Sequence, residues 1–151
     1  MWDPFALNMA EKVGEGAELT MRIGGRLGKV SGQPLDLDIR VQRLATAEEM
    51  ADLGNAMGGS VAVLQVMGTE VYIVIAEKRG GPVDMFRECE GLGINPKSRQ
   101  IIAVKNAYPL HPEYPRGLMV NTPGAVNIEI SRYSQKQGPF YPFDANPLGI
   151  D

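Results

Sequence analysis

Two stretches of this chain alternate apolar and polar residues without a break. In 17–23, Leu19, Met21 and Ile23 interleave with Glu18, Thr20 and Arg22; in 35–42, Leu35, Leu37, Ile39 and Val41 interleave with Asp36, Asp38, Arg40 and Gln42. A period of two sends one set to each face, so both stretches predict half-buried β-strands whose carboxylates face water. Gly24-Gly25 ends the first strand, and Gly32-Gln33-Pro34 turns the chain into the second. Val61 to Met67 and Val71 to Ala76 are β-branched runs divided by Gly68-Thr69-Glu70, which predicts a hairpin of central strands. Ile101 to Val104 reads as a further short buried strand. Leu118 to Val120 reads as another, after Pro109, Pro112 and Pro115 exclude a regular helix.

Helical signals lie between these runs. Asp3-Pro4 opens a helix on which Phe5, Met9 and Val13 recur at i, i+4 and i+8, and Gly14 and Gly16 close it. Thr46 with Glu49 has capping-box spacing, and Met50, Leu53 and Met57 continue one face up to Gly58-Gly59. After Gly80-Gly81-Pro82, Met85, Phe86, Cys89 and Leu92 mark a helix that Gly91 or Gly93 ends. Strand, helix and strand in that order suit a right-handed crossover and a locally parallel pair. The fold class is therefore α/β (α+β): a mixed, mainly antiparallel sheet, two or three helices, and an extended aromatic C-terminal segment. That segment, from Gly138 to Asp151, carries Pro139, Phe140, Tyr141, Pro142 and Phe143, and is expected to strap onto its own domain or a partner.

Composition narrows the function classes. At 151 residues, 44% hydrophobic and 22% charged, the chain fits a single globular domain over 1–151. A net charge of −3 and a pI near 5.2 argue against broad capture of nucleic acid or anionic membrane. Cys89 is the single cysteine, which excludes an internal disulfide framework and fits a small packed hydrophobe. No apolar run approaches the ~20 residues that span a bilayer, and the N-terminus lacks a basic region followed by a long apolar stretch. A cytoplasmic protein is expected.

Three groups offer binding chemistry. Gly24-Gly25-Arg26 presents backbone N–H groups and a guanidinium after a strand. Lys105 sits at a strand end, and Thr122-Pro123-Gly124 is a tight turn that exposes a hydroxyl. Together Arg26, Lys105, Thr122 and Gly124 would favour a carboxylate or phosphate. The competing reading is that the glycines only make turns, Arg26 pairs with a surface acid, and Lys105 is solvated. His111, between Leu110 and Pro112, reads as a loop residue, and Ser31 in a turn forms no nucleophile elbow. One His and one distant Cys give no zinc ligand set. Asp36 with Asp38, and Glu88 with Glu90, lack a calcium-loop spacing and read as solvated faces.

An ordered set of short landmarks covers nearly the whole chain: Asp3-Pro4, Val13-Gly14, Gly16-Ala17, Gly24-Gly25-Arg26, Gly32-Gln33-Pro34, Asp84 with Phe86, Leu92-Gly93-Ile94 with Pro96, Ile101 to Lys105, Asn121 to Gly124, and Pro139 to Asp144. In order and spacing they resemble the C-terminal domain of the MlrC (microcystinase C) family of zinc metallopeptidases. The family pattern looks like Gly-Gly-Lys where Arg26 stands. After the strand lysine it carries Ser and then His with an aromatic, where this chain has Asn106, Pro109 and Leu110. His111 is displaced by two residues, so no family role passes to it.

The resemblance implies that metal-binding and catalytic machinery belongs to a separate, larger N-terminal domain, expected to be absent here, with zinc held there and none by this chain. It points to a non-catalytic domain or accessory subunit of a metal-dependent amidohydrolase or peptidase, partnered by a larger catalytic subunit or domain. Arg26, Lys105, Thr122 and Gly124 would lend it substrate-binding or docking surface, with no catalytic residue of their own. The alternative is a stand-alone binding module for a small anionic metabolite; an independent hydrolase is disfavoured by the ligand count.

Overall fold

The computed structural model describes residues 1–26, 32–55, 59–79 and 85–104. The predicted strand at 118–120, Lys105, His111, the turn at 122–124 and the aromatic segment lie outside those residues, as do Ser31, Met57 and Asp84. Helix α1 (Pro4–Val13) leads into strands β1 (Glu18–Ile23) and β2 (Leu35–Ala45). Helix α2 (Ala47–Asp52) separates them from β3 (Val61–Val66) and β4 (Tyr72–Ala76). Helix α3 (Met85–Gly91) and a 3₁₀ turn at Pro96–Ser98 follow. The strands form one sheet in the order β1-β2-β3-β4, antiparallel throughout, so the described fold is α+β.

The alternating strands behave as their pattern dictates. Met21, Ile23, Ile39 and Val41 point to one face with Ala62, Leu64 and Ile75, and α1 covers them with Ala6, Leu7 and Ala10. On the opposite face of β1 and β2, Arg22 pairs with Asp36, Arg40 with Glu18, and Thr20 with Asp38, all in water. Strand β3 is buried on both faces from Val61 to Leu64, which explains its unbroken apolar run. Its second face belongs to a smaller core in which Val61 and Val63 meet Ala45, Met50, Leu92 and Ile94.

A β-bulge explains how Ala45 reaches that second core. Val41 pairs with Leu64 and Arg43 with Val63, leaving Gln42 as the extra residue. One added residue exchanges the faces beyond it. Ala45 therefore joins Met50 at the start of α2 instead of continuing the Ile39–Val41 face. The predicted capping box is complete: Thr46 Oγ1 accepts from Glu49 N, and Glu49 Oε2 accepts from Thr46 N. Gly93, at φ 79°, ends α3, with Ile94 N donating to Cys89 O at 2.8 Å.

Three expectations need correction. The buried face of α1 is Ala6, Leu7 and Ala10, whereas Phe5, Met9 and Val13 are 56%, 44% and 44% exposed. The apolar arc is wider than one sheet face can cover, and the small alanines allow the helix to lie close on the alanine side. Next, β4 is an edge strand of the described sheet, not a central one. Among the described residues its outer side meets the N-terminus: Trp2 makes an isolated parallel bridge to Ala76, and Ala76 N donates to Met1 O at 2.8 Å. Finally, 101–104 is not a strand, and Ile101 is 86% exposed. A β-branched run becomes a strand only where an open edge meets it, and the N-terminus already occupies β4 at Val74–Ala76. The expected parallel pair is thus not formed among the described residues.

Candidate functional site

Asp3 organises the glycine loop. Only 1% exposed, it caps α1 by accepting from Ala6 N through Oδ1 at 3.1 Å, while its Oδ2 accepts from Gly24 N at 2.8 Å. One side chain thereby satisfies a helix-terminal donor and fixes the loop that leaves β1. Gly24 and Gly25 both hold left-handed backbone, at φ 75° and 65°. A Cβ on Gly25 would lie 2.3 Å from Pro34 N, so the loop closes tightly on the turn entering β2. The turn role foreseen for these glycines is real.

Arg26 emerges from that loop into solvent. Its Nη2 donates to Arg22 O at 2.9 Å, and its guanidinium stands 5.7 Å from the centroid of the exposed Phe5 ring. Among the described residues no carboxylate pairs with it directly. The Asp36 carboxylate, close enough to feel the Arg26 charge, is engaged by Arg22, whose Nε and Nη2 each reach it at 2.8 Å. The Asp36 carboxyl is held below its ordinary range by that bond first, then by the charges of Arg22 and Arg26, against the opposing effect of burial. Arg79 lies 5.5 Å over the Trp2 ring, and Trp2 Nε1 donates to Glu77 O at 3.0 Å. Two guanidinium groups thus stack on aromatic residues at the N-terminal end of α1.

Of the residues singled out in the sequence, Arg26 is described; Lys105, Thr122 and Gly124 fall outside the described residues. Sequence reasoning missed a second feature. An apolar cleft of about 1120 Å³ lies over the second face of β4, between Tyr72, Val74, Leu92 and Ile94. Asn55 and Glu88, 7% and 6% exposed, sit on its wall, with Asn55 Nδ2 donating to Glu88 Oε2 at 2.7 Å. Asn55 Oδ1 has no partner among the described residues.

Glu88 therefore corrects the reading of Glu88 and Glu90 as one solvated pair. It stands four residues before Leu92, inside the apolar stripe of α3, and that placement was the available signal. The nearby Cys89 thiol is pushed up by burial first and then by the Glu88 and Glu90 carboxylates, which favours the packed thiol over a nucleophile. Among the described residues no three His, Cys, Asp or Glu side chains gather to hold a metal ion, so they do not fit a zinc centre. No helix among them is long and apolar enough to cross a membrane.

The sequence pattern of the MlrC C-terminus family matches residues 1–137, which takes in α1, the whole described sheet and the glycine loop. The chain belongs to that family. Microcystinase C of Sphingomonas sp. is 27% identical over 152 residues, covering 95% of this chain. The chain spans only 28% of that relative's length. The solved structure of a proposed metallopeptidase from Mesorhizobium sp. BNC1 is 24% identical with a TM-score of 0.48, over 62% of this chain and 19% of that one. In this MlrC C-terminus domain, the Asp3–Gly24 bond sets where the Arg26 cation leaves the fold.

Proposed function

We propose that this MlrC C-terminus domain serves as a non-catalytic domain or accessory subunit of a larger metal-dependent amidohydrolase or peptidase, to which it lends substrate-site or docking surface. The observation that carries this reading is the family match over 1–137 in a chain that spans 28% of microcystinase C. The described residues offer no metal-ligand cluster, so zinc in the complete enzyme would be held by the larger catalytic part. Arg26 supports the reading because it is exposed, fixed at its root by Asp3, and not neutralised by a carboxylate among the described residues. Lys105, Thr122 and Gly124 would complete an anion-binding surface with it.

Purification from the native host tests this directly. A stable complex with a zinc-containing hydrolase portion, on the same chain or a second one, is expected; a solitary protein there, with no such portion, would refute the reading. The exposed Arg26 also favours a second reading, a binding module for a small anionic metabolite. In that case the protein alone would bind the anion and Arg26→Ala and Lys105→Ala would abolish binding without loss of stability.

A further inference from the structure

The geometry points to the outer edge of β1 as a dimerisation edge, along which a second copy of this chain pairs its own β1 in antiparallel register with Thr20 opposite Thr20. This inference goes beyond the accessory-domain reading and does not rest on it. The two end strands of the sheet differ: the N-terminus occupies part of the β4 edge through Trp2 and Ala76, whereas β1 pairs with β2 alone among the described residues. Val41 N donates to Ala17 O and Met67 N donates to Asp38 O, so Val41, Ile39 and Leu37 turn their backbone groups toward β1 and Asp38 turns its carbonyl toward β3. By the alternation of an antiparallel ladder, Leu19, Met21 and Ile23 bond to β2, and the N–H and C=O groups of Glu18, Thr20 and Arg22 point away from the sheet. Arg22 O takes a bond from Arg26 Nη2 at 2.9 Å and keeps a second lone pair. Such a row is a template for another strand.

The row is bounded at both ends. Gly24 N, the next outward donor, is held by Asp3 Oδ2 at 2.8 Å, and before Glu18 the ladder turns aside where Gly16 N donates to Val41 O and Ala17 N to Gly14 O. The free edge therefore runs from Glu18 to Arg22 and has Thr20 at its centre. A two-fold axis at Thr20 sets Glu18 N against Arg22 O of the second copy and Arg22 N against its Glu18 O, while the two Thr20 residues exchange N–H···O bonds. Each copy then covers the other's edge, so the pair closes and offers no site for a third.

Charge identifies the occupant. On the wet face Glu18 pairs with Arg40 across β2, and Arg22 pairs with Asp36. In the two-fold register the row across the seam reads Arg40, Glu18, then Arg22 and Asp36 of the second copy, with the sign alternating at every step. Glu18 gains a second guanidinium and Arg22 a second carboxylate, and both side chains are exposed enough to accept one, at 44% and 57%. Thr20, which donates to Asp38 at 2.6 Å, faces Thr20, a favourable cross-strand pair. On the other face Leu19 stands opposite Met21 and continues the apolar set beneath α1. A slip of two residues sets Glu18 or Arg22 against Thr20 and loses the ion pairs, and a slip of four sets like charges opposite each other. The edge is thus complementary to itself in one register, which favours a second copy over an unrelated strand.

Sedimentation of the 151-residue chain over a concentration series, with amide hydrogen exchange alongside, tests the assignment. A monomer–dimer equilibrium is expected, and the amides of Glu18, Thr20 and Arg22 should gain protection as the dimer forms. Glu18→Arg and Arg22→Glu each set like charges opposite one another at both ends of the seam, so each should raise the dimer Kd about tenfold or more. An equal mixture of the two variants restores opposite charges in the heterodimer and should associate as the parent does, which a folding defect could not produce. On a Cys89→Ala background, Thr20→Cys should give a disulfide-linked dimer on mild oxidation, and Glu48→Cys, on the exposed first turn of α2, should not. A monomer at about 1 mM protein overturns the proposal. Protection of the Glu18, Thr20 and Arg22 amides that is already complete in the monomer does so too, because another segment of this chain would then cover the edge. A dimer indifferent to both charge variants, or linked through position 48 instead of position 20, places the contact elsewhere and equally overturns it.

Discussion

Replacing Asp3 separates its two tasks. Asp3→Ala removes the α1 cap, a loss of ~1 kcal/mol, and leaves the Gly24 N–H without its acceptor, which costs ~1–3 kcal/mol when the group is buried. The expected total is about 2–4 kcal/mol, and in a domain of this size each kcal/mol lowers Tm by about 2–4 °C. Asp3→Asn keeps one oxygen for Ala6 N but turns an amide donor toward Gly24 N, so the Gly24 part of that loss, about 1–3 kcal/mol, is expected. Urea unfolding followed by far-UV circular dichroism gives the totals. Trp2, the only tryptophan, reports locally because its indole N–H is held by Glu77 O. The reasoning fails if Asp3→Asn unfolds within about 0.5 kcal/mol of the parent, because the Gly24 tie would then contribute nothing.

Three further outcomes follow from the same geometry. Gly25→Ala should destabilise more than Gly24→Ala: both incur the ~1–2 kcal/mol of left-handed backbone, but only the Gly25 Cβ collides with backbone, 2.3 Å from Pro34 N, whereas that of Gly24 meets Met1 Cε at 3.5 Å; thermal melts rank the pair, and equal shifts would sink the argument. Leu64→Ala, at a fully buried position between β2 and β4, should cost ~2–5 kcal/mol by chemical denaturation. Glu15 is held below its ordinary value of 4.5 first by Leu44 N and then by Arg43, and Glu49 first by Thr46 N and then by Arg43. Lowered folded values mean that this stabilisation is present above the ordinary glutamate range and is lost as pH falls through the folded values. Arg43→Met should therefore flatten the fall in urea midpoint between roughly pH 6 and pH 3, and an unchanged acid profile would contradict it.

The legible part of this fold is the part written in local chemistry. Strict alternation placed β1 and β2, Thr46 with Glu49 placed the α2 cap, and Asp3-Pro4 placed the start of α1, because each depends on neighbours within a few residues. The face of α1 could not be read in the same way. Leu7 with Ala6 and Ala10, and Phe5 with Met9 and Val13, are both apolar stripes of one helix, and only the depth available above the sheet decides which is buried. The strand reading of Ile101–Val104 failed for a related reason, since β-branched composition says nothing about whether an edge is open. Arg26 was legible as a candidate because it follows a glycine pair. Glu88 left a signal in the apolar stripe of α3, but Asn55 did not, since their pairing joins residues that only the packing of α3 on the second core brings together.

The misread stripe and the candidate cation belong to one surface. If Phe5, Met9 and Val13 had faced the sheet, Arg26 would have no Phe5 ring to stand over and its loop would be an isolated turn. Because they face outward, Asp3 has a consequence beyond stability: through Ala6 N and Gly24 N it sets the helix and the arginine loop in one fixed relation. The Asp3→Asn variant, which keeps the helix cap and releases the loop, should accordingly weaken the effect of Arg26→Glu on stability, because the cation is no longer held over Phe5. A double-mutant cycle measures that coupling, and strictly additive effects of Asp3→Asn and Arg26→Glu would show that the loop and the helix face act independently.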